Sequence, residues 1–145
     1  MSDFEHVTIE AAVETYETAT GIFEALLREV RELSKKKPDA TLSASKVRIV
    51  NNVLNDLLAI LKEEPEGKYL EPLADESLPQ VSDALMMMAQ FNAALDAFKD
   101  RYFQRVERRF GKSGRYWVTQ EQVEFWEEED AEIQARYGRE DDDFQ

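Results

Sequence analysis

Hydrophobic residues recur at helical spacing along most of this chain. A first stripe runs from Ile9 to Val30 in steps of three and four, and Pro38 ends that segment. A second stripe runs from Val47 to Leu61 and stops before Pro65. Strand-like alternation with a period of two is not evident along the chain. The pattern therefore predicts an all-α protein.

A third stripe is longer and extends from Val81 to Phe110, with Gly111 placed as the residue after the helix C-terminus. The segment Thr119-Gln120-Glu121-Gln122 has the form of a capping box and opens a short fourth helix. Three long helices with a short first connection favour an up-down-up bundle. We expect this bundle over residues 1–117, an amphipathic C-terminal helix over 118–137, and an acidic disordered tail over 138–145.

Composition argues against an enzyme. The 145 residues suit one domain, and they include no cysteine and one histidine, His6. Thiol catalysis, disulfides and sites that need two imidazoles are thereby excluded. The segment Gly111–Gly114 lacks the spacing of a phosphate-binding loop. We therefore expect no catalytic residues, no metal and no cofactor.

The net charge of −13 disfavours binding to anionic membranes and to nucleic acid by the molecule as a whole. Apolar runs are too short to span a bilayer, and the acidic N-terminus does not resemble a secretory leader. We expect a cytoplasmic protein that does not associate with membranes.

Charge is nevertheless segregated along the chain, with bases concentrated between residues 101 and 115 and acids from Glu121 onward. In an up-down-up bundle, the end of the first helix, the start of the second and the end of the third share one pole. The sequence therefore predicts a basic binding pole made of Lys35, Lys36, Lys37, Lys46, Arg48, Arg101, Arg105, Arg108, Arg109, Lys112, Arg115, Tyr116 and Trp117. The alternative interpretation is that these cations only complement helix dipoles.

The C-terminal helix carries the second candidate surface. Its apolar stripe predicts a helix that docks into a partner's groove through Val123, Trp126, Ile133 and Tyr137. The alternative is a helix that packs on its own protein. Because the acids of this helix closely follow the basic segment, they are also expected to mask it within the chain.

These patterns favour binding over catalysis. We interpret the chain as a helical protein-interaction module, such as a small subunit, adaptor or inhibitor, acting through a protein partner or self-association. One alternative is a nucleic-acid-binding protein that uses the basic pole. Another is a DNA mimic that presents its acidic helix.

Overall fold

The computed structural model describes residues 4–143, with side chains as far as residue 138. The α-helices are α1 (Glu10–Lys36), α2 (Ala44–Leu61), α3 (Val81–Tyr102) and α4 (Gln120–Asp143). A short 3₁₀ helix, Pro65–Tyr69, follows α2, and strands β1 (Phe103–Val106) and β2 (Gly114–Trp117) lie between α3 and α4. The prediction of a mostly helical protein is confirmed, with a small antiparallel hairpin added.

The chain forms two compact units, which divide after Val13 within α1 and after Lys99 within α3. We call Glu14–Lys99 the helical unit, and Met1–Val13 with Asp100–Gln145 the hairpin unit. The sequence had predicted one bundle as far as residue 117. The division instead falls within α1 and α3, and the residues after α3 form strands instead of further helical turns.

The core of the helical unit follows the predicted stripes. Phe23 of α1, Leu54 of α2 and Phe91 of α3 are all fully buried. Near the start of α1, Tyr16 stacks on Phe98 near the end of α3, with ring centroids 5.6 Å apart. Burying each such side chain stabilises the fold by about 1.5–3 kcal/mol, so these contacts hold the three helices together.

The direction of α3 corrects the predicted up-down-up order. The N–H of Val81 donates to the carbonyl of Ala40 at 2.8 Å, and the N–H of Ser82 donates to that of Pro38 at 3.0 Å. Helix α3 therefore begins beside the turn between α1 and α2, and its end lies near the start of α1, where Phe98 meets Tyr16. Residues 62–80 return along the unit before α3 begins, and a connection of this length permits such a crossover.

The returning connector is held to the middle of α2 by Asn51. The Asn51 amide donates to the carbonyl of Leu73 and accepts from its N–H, both at 2.8 Å. We expect Asn51→Ala to lower the free energy of unfolding by about 1–3 kcal/mol, because both backbone groups lose their partner. Urea unfolding checks this, with exposed Asn52→Ala as the control that shares the helix-propensity change. If the two substitutions lowered the free energy of unfolding equally, the hydrogen bonds of Asn51 to Leu73 would not stabilise the protein.

The hairpin corrects the prediction of a third helix reaching Phe110. Strands β1 and β2 pair in the register Phe103↔Trp117 to Val106↔Gly114. The loop between them contains Gly111 at a φ of 146°, which glycine adopts readily. Phe110 lies in the loop between the strands, four residues after Val106, so its helical spacing in the sequence does not reflect a helix. Each strand has only four residues, too few for a period-two alternation to stand out from the helical pattern.

The N-terminal segment and α4 complete the hairpin unit. The N–H of Thr8 donates to the carbonyl of Val118 at 3.1 Å, and the N–H of Gln120 donates to that of Thr8 at 2.8 Å. Val118 belongs to a small core with Val106, Val123 and Trp126.

Helix α4 begins where the capping box predicted, since the hydroxyl of Thr119 accepts the N–H of Gln122 at 3.0 Å. It continues to Asp143, so residues 138–143 of the predicted disordered tail are helical. Residues 144 and 145 of that tail lie outside the described residues.

Candidate functional site

The predicted basic pole is divided between the two units. The helical unit contains Lys35, Lys36, Lys37, Lys46 and Arg48, whereas the hairpin unit contains the members from Arg101 to Trp117. A single pole required α3 to end beside the α1–α2 turn. Because α3 begins there instead, the predicted topology no longer brings the two groups of bases together.

An apolar groove lies between α1 and α2 in the helical unit. It has a volume of about 220 Å³ and is lined by Leu26, Glu29, Val30, Leu33, Leu42, Lys46, Ile49 and Val50. Residues three and four apart share one helix face, so Leu26, Val30 and Leu33 line its α1 side. On the α2 side Ile49 is 52% exposed, an unusually open position for isoleucine. We call this feature the α1–α2 groove.

A second cavity of about 340 Å³ shares Leu33, Leu42 and Lys46 with the groove. Its other lining residues are Lys36, Lys37, Ala40, Thr41, Ser43 and Val81. The hydroxyl of Ser43 accepts the N–H of Lys46 at 3.3 Å and caps α2. One end of the α1–α2 groove is therefore bordered by lysine side chains.

None of these three lysines, Lys36, Lys37 and Lys46, lies within ion-pair distance of an acid among the described residues, although the charge of Lys36 also acts on Glu32. Lys35 instead pairs with Glu32 at 3.0 Å, and this hydrogen bond, followed by the charge of Lys35, lowers the pKa of Glu32. Lys36, Lys37 and Lys46 give this acidic protein a local positive rim beside a groove whose own lining includes one acid, Glu29.

Arg108 of the hairpin unit is committed to internal contacts. Its side chain is 8% exposed and lies 3.1 Å from Asp130 and 3.9 Å from Glu129 of α4. The guanidinium also lies 5.1 Å from the ring centroid of Trp126. Acids of α4 therefore contact this residue, and Arg108 joins the hairpin to α4 instead of presenting charge to a partner.

We expect Asp130→Asn to destabilise the protein by about 1 kcal/mol, because it weakens a charge-assisted hydrogen bond to the buried Arg108. The expected loss of stability is small because Asp130 is partly exposed and Glu129 remains near Arg108. Urea unfolding measures the change, and exposed Glu128→Gln is the control. If Asp130→Asn lowered the free energy of unfolding no more than Glu128→Gln does, the contact of Asp130 with Arg108 would add no stability.

The remaining bases of the hairpin unit are more accessible. Side chains alternate across strands, so Phe103, Arg105, Arg115 and Trp117 share the face opposite Val106 and Tyr116. We call these four residues the outer face of the hairpin. Tyr116 lies on the inner side, 5.3 Å from Trp126 between ring centroids.

The arginines of the outer face make local contacts. Arg115 lies 4.8 Å from the ring centroid of Phe103. Arg105 donates to Glu107 at 2.9 Å, and this bond, followed by one from Ser113 and the charge of Arg105, lowers the pKa of Glu107. A lowered pKa means that ionised Glu107 stabilises the fold at neutral pH, and this contribution is lost as the pH falls through the folded-state pKa.

The other predicted bases of this unit occupy its ends. Arg101 is half-buried near the end of α3, and Lys112 is exposed in the hairpin loop. Arg109 lies 5.0 Å from the ring centroid of neighbouring Phe110.

The predicted docking stripe of α4 is largely used within the protein. Val123 and Trp126 are buried in the hairpin-unit core, as the alternative interpretation required for these two residues. Ile133 is half-buried, and Tyr137 is exposed but lies 6.3 Å from Phe110 between ring centroids. Phe125 was not among the predicted docking residues because it lies off the stripe, and it is 58% exposed.

Among the described side chains, no group of three or more His, Asp or Glu residues is arranged to hold a metal ion. No helix in the described part of the chain is both long enough and apolar enough to cross a bilayer. Comparison of the chain with protein-family models, curated proteins and solved structures found no match.

Proposed function

We propose that this protein is a non-enzymatic interaction module whose α1–α2 groove binds an acidic amphipathic helix of a protein partner. The observation that carries this proposal is an open apolar groove bordered by three lysines that form no ion pair among the described residues, against one acid, Glu29, in its lining. Helix-in-groove recognition uses this combination, because apolar side chains supply affinity and flanking charges supply orientation.

The size of the groove limits what it accepts. A volume of about 220 Å³ accommodates one or two apolar side chains. Each contributes about 1.5–3 kcal/mol when buried, and exposed ion pairs with the lysines add about 0.2–1 kcal/mol apiece. After the cost of ordering two molecules, this corresponds to binding on the order of micromolar or weaker. The lysines should mainly select acidic partners and speed encounter, so binding should weaken with salt.

A displayed library of helical peptides, selected on the full chain, tests this proposal. We expect the enriched peptides to carry apolar residues three and four apart, flanked by Asp and Glu, and to lose binding to the Ile49→Asp variant. Enrichment of basic or uncharged peptides would contradict the proposed partner chemistry. Enriched peptides that bind the Ile49→Asp variant as well as wild type would show that the groove is not the site.

A second candidate function is nucleic-acid binding by the outer face of the hairpin. The observation that favours it is that Arg105 and Arg115 lie directly opposite each other beside the aromatic pair Phe103 and Trp117. Like charges in this arrangement repel, and a bound phosphate would offset that repulsion. Anisotropy with a labelled single strand tests it, and tight binding with steep salt dependence that Arg115→Ala abolishes would favour this function.

A further inference from the structure

The exposed face of α4 has the chemistry that the α1–α2 groove is proposed to recognise. Phe125 is 58% exposed and lies away from the buried Val123 and Trp126. Glu121 and Glu128 lie four residues before and three residues after Phe125, so all three share one stripe of the helix. Both glutamates are exposed, and the carboxylate of Glu121 also accepts the N–H of Glu10 at 3.2 Å. Helix α4 therefore presents one aromatic side chain between acids.

This face is complementary to the groove in size and in charge. The groove of about 220 Å³ has apolar walls from Leu26, Leu33 and Ile49, suited to one aromatic ring. Lys46 and Glu29 line the groove itself, and Lys46 also lines the adjoining cavity with Lys36 and Lys37, so bases outnumber acids three to one around the two features. Lysines near the groove are thus available to glutamates that flank an inserted ring, as charge complementarity requires.

We propose that the occupant of the α1–α2 groove is α4 of a second copy of this chain, with Phe125 inserted between α1 and α2. This inference rests on the proposed function, because it takes the groove to be a site for an acidic helix. The two contacting surfaces differ, so each bound copy still presents a free groove or a free α4 face. Such a heterologous contact builds assemblies larger than a dimer unless it closes into a ring.

One inserted aromatic residue with a few exposed ion pairs makes a weak contact, with a dissociation constant on the order of 100 µM. The average mass of the full chain should therefore rise with concentration between about ten micromolar and about one millimolar. The rise should shrink at high salt, because exposed ion pairs are screened. Analytical ultracentrifugation measures both effects.

Two complementary variants make the test specific. Phe125→Ser removes the inserted ring and keeps the groove, whereas Ile49→Asp blocks the groove and keeps α4. Both positions are exposed, so circular dichroism should match wild type. Each variant alone should be monomeric, and an equimolar mixture should form a dimer that cannot extend. The control mixture combines Phe125→Ser with Ile22→Asp. Ile22 is as exposed as Ile49 but lies outside the groove, so the Ile22→Asp protein keeps both contacting surfaces. Assemblies larger than a dimer should therefore still form in this mixture.

Wild type that stays monomeric at about one millimolar would overturn the inference. So would Phe125→Ser protein that associates like wild type, or a mixture of the two variants that forms no dimer. If selected acidic peptides bind the groove while the copies do not associate, the self-recognition fails and the proposed function stands. If neither peptides nor copies bind there, both fail.

Discussion

Trp126→Ala is expected to destabilise the hairpin unit by about 3–5 kcal/mol, the range for truncating a large buried aromatic residue. Trp126 is 6% exposed and packs in one core with Val106, Val118 and Val123. The substitution leaves a cavity there and also uncovers the guanidinium of Arg108, which lies over the indole ring. The loss should appear in hydrogen exchange as faster exchange of the amides of β1, β2 and the first turns of α4.

The matched control for this prediction is Phe125→Ala, one residue earlier in α4. Phe125 is exposed, so its truncation should change stability by less than about 0.5 kcal/mol. If both substitutions accelerated exchange equally, Trp126 would not be the centre of this core. The same pair also separates the two roles of α4, since Trp126 holds the fold and Phe125 is available for contact.

Ile49→Asp is expected to weaken binding of a selected acidic helix to the α1–α2 groove by about 100-fold. The substitution removes about 2 kcal/mol or more of apolar contact and places a carboxylate beside the acids of the ligand. Because Ile49 is 52% exposed in the free protein, the fold should be retained. Isothermal titration calorimetry measures the change in dissociation constant.

The control for Ile49→Asp is Ile22→Asp, which adds the same charge at a position that is 53% exposed on α1. Ile22 does not line the groove, so this substitution should weaken binding by less than about threefold, through long-range charge alone. If the two substitutions weakened binding equally, net charge, and not contact with the groove, would determine the affinity.

Much of the helical unit could be predicted from the sequence, because burial of Phe23, Leu54 and Phe91 depends on helical periodicity alone. The direction of α3 could not be predicted. It depends on hydrogen bonds of Ala40 and Pro38 to residues after a long connector, and these contacts leave no periodic signal. The hairpin was missed because each strand has only four residues, too few for a period-two alternation to stand out from the helical pattern.

The candidate site was predicted in part. Lys36, Lys37 and Lys46 were identified because a short turn brings the end of α1 to the start of α2. The apolar wall of the α1–α2 groove was not identified, because Leu26 and Ile49 lie outside the main stripes of their helices. Apolar residues off the main stripe on two adjoining helices were the available signal. Whether they are covered depends on the packing of neighbouring elements, which periodicity does not report.

The most direct test of the groove as a docking site is an NMR titration of the ¹⁵N-labelled full chain with a selected acidic helical peptide. The account predicts that the largest chemical-shift changes fall on residues 26–33 of α1 and 42–50, and that they vanish in the Ile49→Asp variant. Largest changes on the hairpin or on α4, with residues 26–33 and 42–50 unaffected, would contradict it.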